Sequence, residues 1–142
     1  MAEENKNSLR TKPVILLIED EGLLTRMYSK KLEHDGFECI TSTNGKNGLE
    51  VALSEQPELI VCDVMMPEMD GLTVLSQLKE HEETKHIPVI MLSNVSNQEY
   101  VERALELGAV SYLIKSELVP ADVVSEIKEK LEATGKKSLV IG

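Results

Sequence analysis

Short apolar runs alternate with longer amphipathic stretches along most of this chain, and four of the runs hand over to a polar residue suited to chemistry. Pro13-Val-Ile-Leu-Leu-Ile18 is followed by Glu19-Asp20, and Glu58-Leu-Ile-Val-Cys62 by Asp63. Ile87-Pro-Val-Ile-Met-Leu92 is followed by Ser93, and Val110-Ser-Tyr-Leu-Ile114 by Lys115. Near-continuous apolar runs of this length read as strands buried on both faces, and they predict strands over 14–19, 58–62, 88–92 and 110–114. A fifth run, Phe37-Glu-Cys-Ile-Thr-Ser42, alternates and predicts a half-exposed edge strand over 37–42. Between the strands the apolar spacing changes to a helical one, predicting helices over 22–35, 45–55, 71–81, 97–107 and 120–133. The expected inward faces are Leu24, Met27, Tyr28 and Leu32, then Leu49, Ala52 and Leu53, then Leu72, Leu75 and Leu78. The last two helices present Val101, Ala104 and Leu105, and Val123, Val124, Ile127 and Leu131. Gly36 and Gly108 end the first and fourth helices, Pro57 follows the second, and Pro120 opens the fifth.

Five strand–helix units with apolar strands require a parallel sheet covered on both sides. The expected fold is α/β, a doubly wound five-stranded parallel sheet of order 2-1-3-4-5 with helices on both faces, flavodoxin-like. In such sheets ligands bind beyond the carboxyl ends of the strands, at the switch point, here between strands 1 and 3. Glu19, Asp20 and Asp63 belong to those two strand ends. The division expected along the chain is a flexible segment 1–12, one folded domain 13–133, and a short tail 134–142.

Charge narrows the partners. The net charge is −10 over 142 residues. Lys6, Arg10 and Lys12 against Glu3 and Glu4, with Lys136 and Lys137, give the two tails +3 together, so residues 13–133 carry −13. An acidic body repels phosphates, which argues against direct contact with nucleic acid or anionic membrane. It suits cations and basic protein surfaces. Aromatic residues are 3% of the chain, so the core is aliphatic. No apolar run approaches a membrane span, and the polar N-terminus lacks a signal-peptide pattern. Cys39 and Cys62 lie in predicted strands without metal-site spacing and read as buried free thiols, which points to the cytoplasm.

If the strands are parallel, three carboxylates, a hydroxyl and an ammonium converge on one site. Glu19, Asp20 and Asp63 repel one another, and a hard divalent cation, Mg2+, relieves that repulsion. Asp63 is the candidate nucleophile, since a carboxylate can attack an activated phosphoryl group and form an acyl phosphate. Such transfer needs positioning and charge neutralisation above all. Lys115 offers a point charge from the end of strand 5, and Ser93 a hydroxyl donor from the end of strand 4. Met65 and Val95, each two residues beyond a site residue, are apolar and are expected to hinder an attacking water and lengthen the phosphoryl lifetime.

Asp63-Val-Met-Met-Pro-Glu-Met-Asp-Gly71, Ile18-Glu-Asp-Glu21, the Ser93 position and Tyr112-Leu-Ile-Lys115 together resemble the receiver domain of two-component response regulators. The resemblance covers about 13–133, and the acid pair, Asp63, Ser93 and Lys115 follow at separations of 43, 30 and 22 positions. It is closest in kind to stand-alone, chemotaxis-regulator-like receivers. It implies that Asp63 is phosphorylated by a phosphohistidine on a sensor histidine kinase or phosphotransfer protein. It implies Mg2+ held by Glu19, Asp20, Asp63 and the backbone carbonyl of Met65, with Ser93 and Lys115 on the phosphoryl group and autodephosphorylation as the only other activity. Ser93 and Tyr112 would form the switch, with Tyr112 turning inward as Ser93 moves. The output face would be helix 4, strand 5 and helix 5, including Tyr100, Arg103, Glu106 and Tyr112, toward an unidentified protein target, as a monomer or a phosphorylation-induced dimer. One departure stands out: Ser116 follows Lys115 where receivers commonly carry proline.

Two other functions fit the same fold. A pseudo-receiver would bind a partner without phosphorylation, but the set Glu19, Asp20, Asp63, Ser93 and Lys115 is intact. A nucleotide- or flavin-binding enzyme would need a glycine-rich loop after strand 1, where Glu19-Asp-Glu-Gly22 is acidic instead. The nine residues after helix 5 are too few for an output domain, so a stand-alone receiver is expected, with a piece of a longer regulator as the alternative.

Overall fold

The computed structural model describes residues 10–134. The segments 1–9 and 135–142, which hold most of the expected flexible segment 1–12 and of the short tail 134–142, lie outside the described residues. The elements run β1 (Val14–Ile18), α1 (Gly22–His34), β2 (Glu38–Ser42), α2 (Gly45–Glu55), β3 (Leu59–Cys62), α3 (Gly71–Glu80), β4 (Val89–Ser93), α4 (Gln98–Glu106), β5 (Ser111–Ile114) and α5 (Pro120–Ala133). A single 3₁₀ turn, Lys115–Glu117, joins β5 to α5 and has no counterpart among the expected elements. All four strand pairings are parallel, and the order is β2-β1-β3-β4-β5, as the alternation of elements implied.

The strands feed two cores by simple alternation. Ile15, Leu17, Leu59, Val61, Ile90 and Leu92 face the side covered by α1 and α5, with Tyr28, Leu32, Val124 and Ile127. Leu16, Ile18, Ile60, Cys62, Val89 and Met91 face α2, α3 and α4, with Leu49, Val74, Leu75 and Ala104. Successive strand side chains point to opposite faces, so a strand apolar at every position must be covered twice. β2, at the edge, is exposed or half-buried along most of its length, as its alternation predicted.

Three expected core residues are exposed instead: Met27 at 43%, Leu53 at 38% and Leu105 at 48%. Each sits one residue off a narrower buried stripe. Leu24, Tyr28 and Leu32 line α1, Gly48, Leu49 and Ala52 line α2, and Val101 and Ala104 line α4. Val110, expected in the fifth strand, is likewise 43% exposed and precedes β5. Cys39 is only partly buried, because it lies on the edge strand, whereas Cys62 is buried.

Helix ends are set locally. Asp70 caps α3 by accepting the Thr73 N–H at 2.9 Å, and Asn44 caps α2 by accepting that of Asn47 at 2.8 Å. Gly36, at φ 97°, closes α1, and the Phe37 N–H returns to the Leu32 carbonyl at 3.0 Å. Among the described residues no helix is long and apolar enough to cross a membrane.

Candidate functional site

Backbone bonds fix the strand ends before any side chain acts. The Glu19 N–H donates to the Ser42 carbonyl at 2.9 Å and the Asp63 N–H to the Ile18 carbonyl at 3.1 Å. β1 and β3 thus hold Glu19, Asp20 and Asp63 side by side. One carboxylate oxygen from each lies within 4.8 Å of the others. Glu19 and Asp63 are buried and Asp20 is exposed.

Lys115 arrives from the end of β5, with its ammonium 2.7 Å from Glu19 Oε1, 2.9 Å from Asp63 Oδ2 and 3.5 Å from Glu21 Oε1. Its side chain is 7% exposed. Burial works against the charged form, yet the hydrogen bonds to Glu19 and Asp63 outweigh it and hold the pKa above the ordinary lysine range. Glu19 is raised above the usual carboxylate value, by burial first, with Lys115 opposing and Asp63 adding repulsion. Three carboxylates against one ammonium leave this group with a charge of −2. Oxygen donors with that residual charge fit a hard divalent cation, and Asp20, exposed at the mouth, leaves it a way in.

The site opens into a cleft of about 350 Å³ lined by Asp20, Glu21, Asp63, Met65, Ser93, Asn94, Val95 and Lys115. Asp63 Oδ1 accepts the Met65 N–H at 3.2 Å. The Met65 side chain is 61% exposed at the cleft edge. Ser93, the last residue of β4, is buried, and its Oγ accepts the Val95 N–H at 3.1 Å. An oxygen that accepts in this way keeps its own proton to give. Tyr112 lies on β5, half-buried, and its hydroxyl donates to the Val95 carbonyl; burial first of all raises its pKa.

Behind Asp63 there is no slack. The Gly71 N–H donates to the Val64 carbonyl at 2.8 Å, and a Cβ on Gly71 would lie 1.9 Å from the Asp63 carbonyl oxygen. Only glycine lets the start of α3 approach that backbone so closely. The Cys62 thiol donates to the same carbonyl at 3.3 Å and, buried, is held well above its ordinary pKa.

The strand-end residues singled out in the sequence therefore converge: Glu19, Asp20, Asp63 and Lys115 meet directly, with Ser93 and Met65 on the cleft wall. Tyr112 stands one step back, joined through Val95. Tyr100, Arg103 and Glu106 are exposed on α4, away from this cleft. Two participants were not foreseen. Glu21 leans onto Lys115, and Asn94 accepts the Ser116 N–H at 2.8 Å through Oδ1. Their signal was present, since each polar side chain directly follows a site residue. The Lys115–Ser116 peptide, whose geometry the absence of proline left open, is trans.

The model of the response regulator receiver domain matches residues 15–128. The chain belongs to this family. As a receiver domain of two-component response regulators it has curated relatives such as the transcriptional regulatory protein SrrA of Staphylococcus aureus. That protein is 34% identical over 120 residues, which is 84% of this chain and 48% of the relative. The receiver chain thus spans about half the length of the curated relatives it matches. Among solved structures, a CheY-like receiver domain protein from Methanospirillum hungatei superposes with a TM-score of 0.82 at 25% identity, over 89% of this chain and 98% of the other. The signal receiver domain of a histidine kinase from Syntrophus aciditrophicus matches at 31% identity and a TM-score of 0.78, over 85% and 91% of the two chains. Receivers are regulatory phosphoacceptors that interact with histidine kinases or other phosphodonors.

Proposed function

We propose that this receiver domain, residues 13–133, is a phosphorylation-dependent switch in a two-component phosphorelay. The observation that carries the reading is the position of the Lys115 ammonium, shared between Glu19 at 2.7 Å and Asp63 at 2.9 Å beneath an open cleft. A buried carboxylate held by a cation and facing solvent-accessible space is a poised nucleophile.

An oxygen of the Asp63 carboxylate attacks the phosphorus of a phosphohistidine on a sensor kinase or phosphotransfer protein. The P–N bond breaks, its electrons stay on the donor imidazole, and an acyl phosphate forms on Asp63. Mg2+, when held by Glu19, Asp20, Asp63 and the Met65 backbone carbonyl, supplies neutralisation of charge on the transferring oxygens. Lys115 turns its ammonium from the Asp63 carboxylate to the phosphoryl oxygens, and Ser93 donates its hydroxyl proton to one of them. The modification adds about −1.5 to −2 charge. The Ser93 movement draws on the loop through Val95, whose carbonyl holds the Tyr112 hydroxyl. The bias spreads to the helix 4, strand 5 and helix 5 face, the proposed surface for a downstream protein target. The chain's own chemistry is then confined to gaining and losing this group, and the cytoplasm is where it meets its donors.

The test is intact mass after incubation with acetyl phosphate, with and without Mg2+, beside Asp63→Asn. A Mg2+-dependent gain of one phosphoryl group, absent in the variant, is expected. A folded wild-type protein that gains none, from acetyl phosphate or from a kinase, sinks the reading in favour of a phosphorylation-independent binding module.

A further inference from the structure

Three hydrogen bonds hold the loop that follows β4. The Val95 N–H donates to Ser93 Oγ at 3.1 Å, the Tyr112 hydroxyl to the Val95 carbonyl, and the Ser116 N–H to Asn94 Oδ1 at 2.8 Å. The first two serve residues already placed in the switch. The third joins this loop to the turn that begins at Lys115.

That turn is poorly secured by itself. Lys115–Glu117 is a single 3₁₀ turn with no side-chain cap, and the Leu118 N–H reaches the Lys115 carbonyl at 3.3 Å. The first N–H groups of any helical turn have no partner within it. The Ser116 N–H is one of these, and Asn94 supplies its acceptor. The placement follows from strand register. β4 and β5 pair from Ile90↔Ser111 to Ser93↔Ile114, and there the backbone ladder ends. Asn94 and Ser116 lie just past the last rung, so a side chain takes over where the backbone stops. Lysine has a long, freely rotating stem, and the place of its ammonium depends on where its backbone is anchored.

We propose that Asn94 is a positioning residue for Lys115. Its amide oxygen ties the turn carrying Lys115 to the strand end carrying Ser93. The ammonium stays on Glu19 and Asp63, and the two groups that face the phosphoryl site move as one body. The kinetic consequence rests on the reading of Asp63 as phosphoacceptor; the placement of Lys115 does not.

The experiment is competitive labelling of lysine amines in the full chain without phosphodonor, read by mass spectrometry with Lys128 as internal reference. Lys128, on α5, is 45% exposed and lies 4.0 Å from Asp35, whereas Lys115 is shielded and held most closely by Glu19 and Asp63. In wild type Lys115 labels slowly. Asn94→Ala speeds its labelling relative to Lys128 by about two- to tenfold, the span of one ordinary hydrogen bond. In a Ser116→Pro background, which lacks the donor N–H, Asn94→Ala adds no further change. With acetyl phosphate and Mg2+, Asn94→Ala slows phosphorylation of Asp63 at saturating donor by a similar factor and leaves KM unchanged. Unchanged Lys115 labelling in Asn94→Ala overturns the proposal, as does an undiminished effect in the Ser116→Pro background. A wild-type protein that takes no phosphoryl group overturns the switch function instead, and the labelling result still decides the role of Asn94.

Discussion

At the amino-terminal edge of the sheet, polar groups find backbone partners. Buried Glu58 accepts the Val14 N–H at 2.6 Å, and the Thr84 hydroxyl donates to the Leu78 carbonyl at 2.7 Å. Lys79 donates to the Lys85 and Ile87 carbonyls at 3.0 and 2.9 Å. At the carboxyl-terminal edge, Glu19, Asp63 and Lys115 are as deeply buried, but chiefly hold one another, and the negative charge exceeds the positive. Satisfied dipoles close a fold. Charges held by other charges leave the local structure dependent on what cation or anion arrives next. Burial alone does not separate a structural polar group from a functional one; the identity of its partner does.

The sharpest way to break that contrast is to remove the one cation. Lys115→Met leaves Glu19 and Asp63 buried and uncompensated, and it should lower unfolding free energy in urea by about 3–5 kcal/mol without divalent ions. Added Mg2+ should restore more stability to this variant than it adds to wild type. Equal responses of the two proteins would mean that the carboxylates do not share a cation. At the opposite edge, Glu58→Ala strands the Val14 N–H and should cost about 1–3 kcal/mol. That loss should not depend on Mg2+ and should leave the rate of Asp63 phosphorylation untouched; a changed rate would show the two edges to be coupled. The smallest effect is expected at the cleft wall. Replacing Met65 and Val95 together by asparagine and glutamate should shorten the phosphoryl lifetime several-fold, on the scale of about 1 kcal/mol for one new hydrogen bond to the attacking water. Loss of phosphate at the wild-type pace would remove these two side chains from the account.

The same contrast explains what could be read from the residues alone. Strand order and the meeting of Glu19, Asp20, Asp63 and Lys115 were legible, because both follow from period and from where apolar runs stop. Helix faces were less so. Met27, Leu53 and Leu105 lie at the margins of apolar stripes, where spacing does not distinguish buried from flanking positions. The 3₁₀ turn at Lys115 and its tie to Asn94 were not legible, since they depend on which N–H groups are left over once the strands have paired. Glu58 opens an apolar run in the sequence, and nothing in that pattern marks its carboxylate as the acceptor of the Val14 N–H on the neighbouring strand.

The contact between Gly71 and the Asp63 carbonyl has a mechanical consequence. With Cys62 and the first turn of α3 pressed against that oxygen, the Asp63 main chain has nowhere to recoil. Asn94, Val95 and Lys115, in the loops after β4 and β5, line the open cleft on its other side. With Asp63 as the proposed phosphoacceptor, this makes its backbone an anvil, and any displacement on phosphorylation would be taken up by the loops across the cleft.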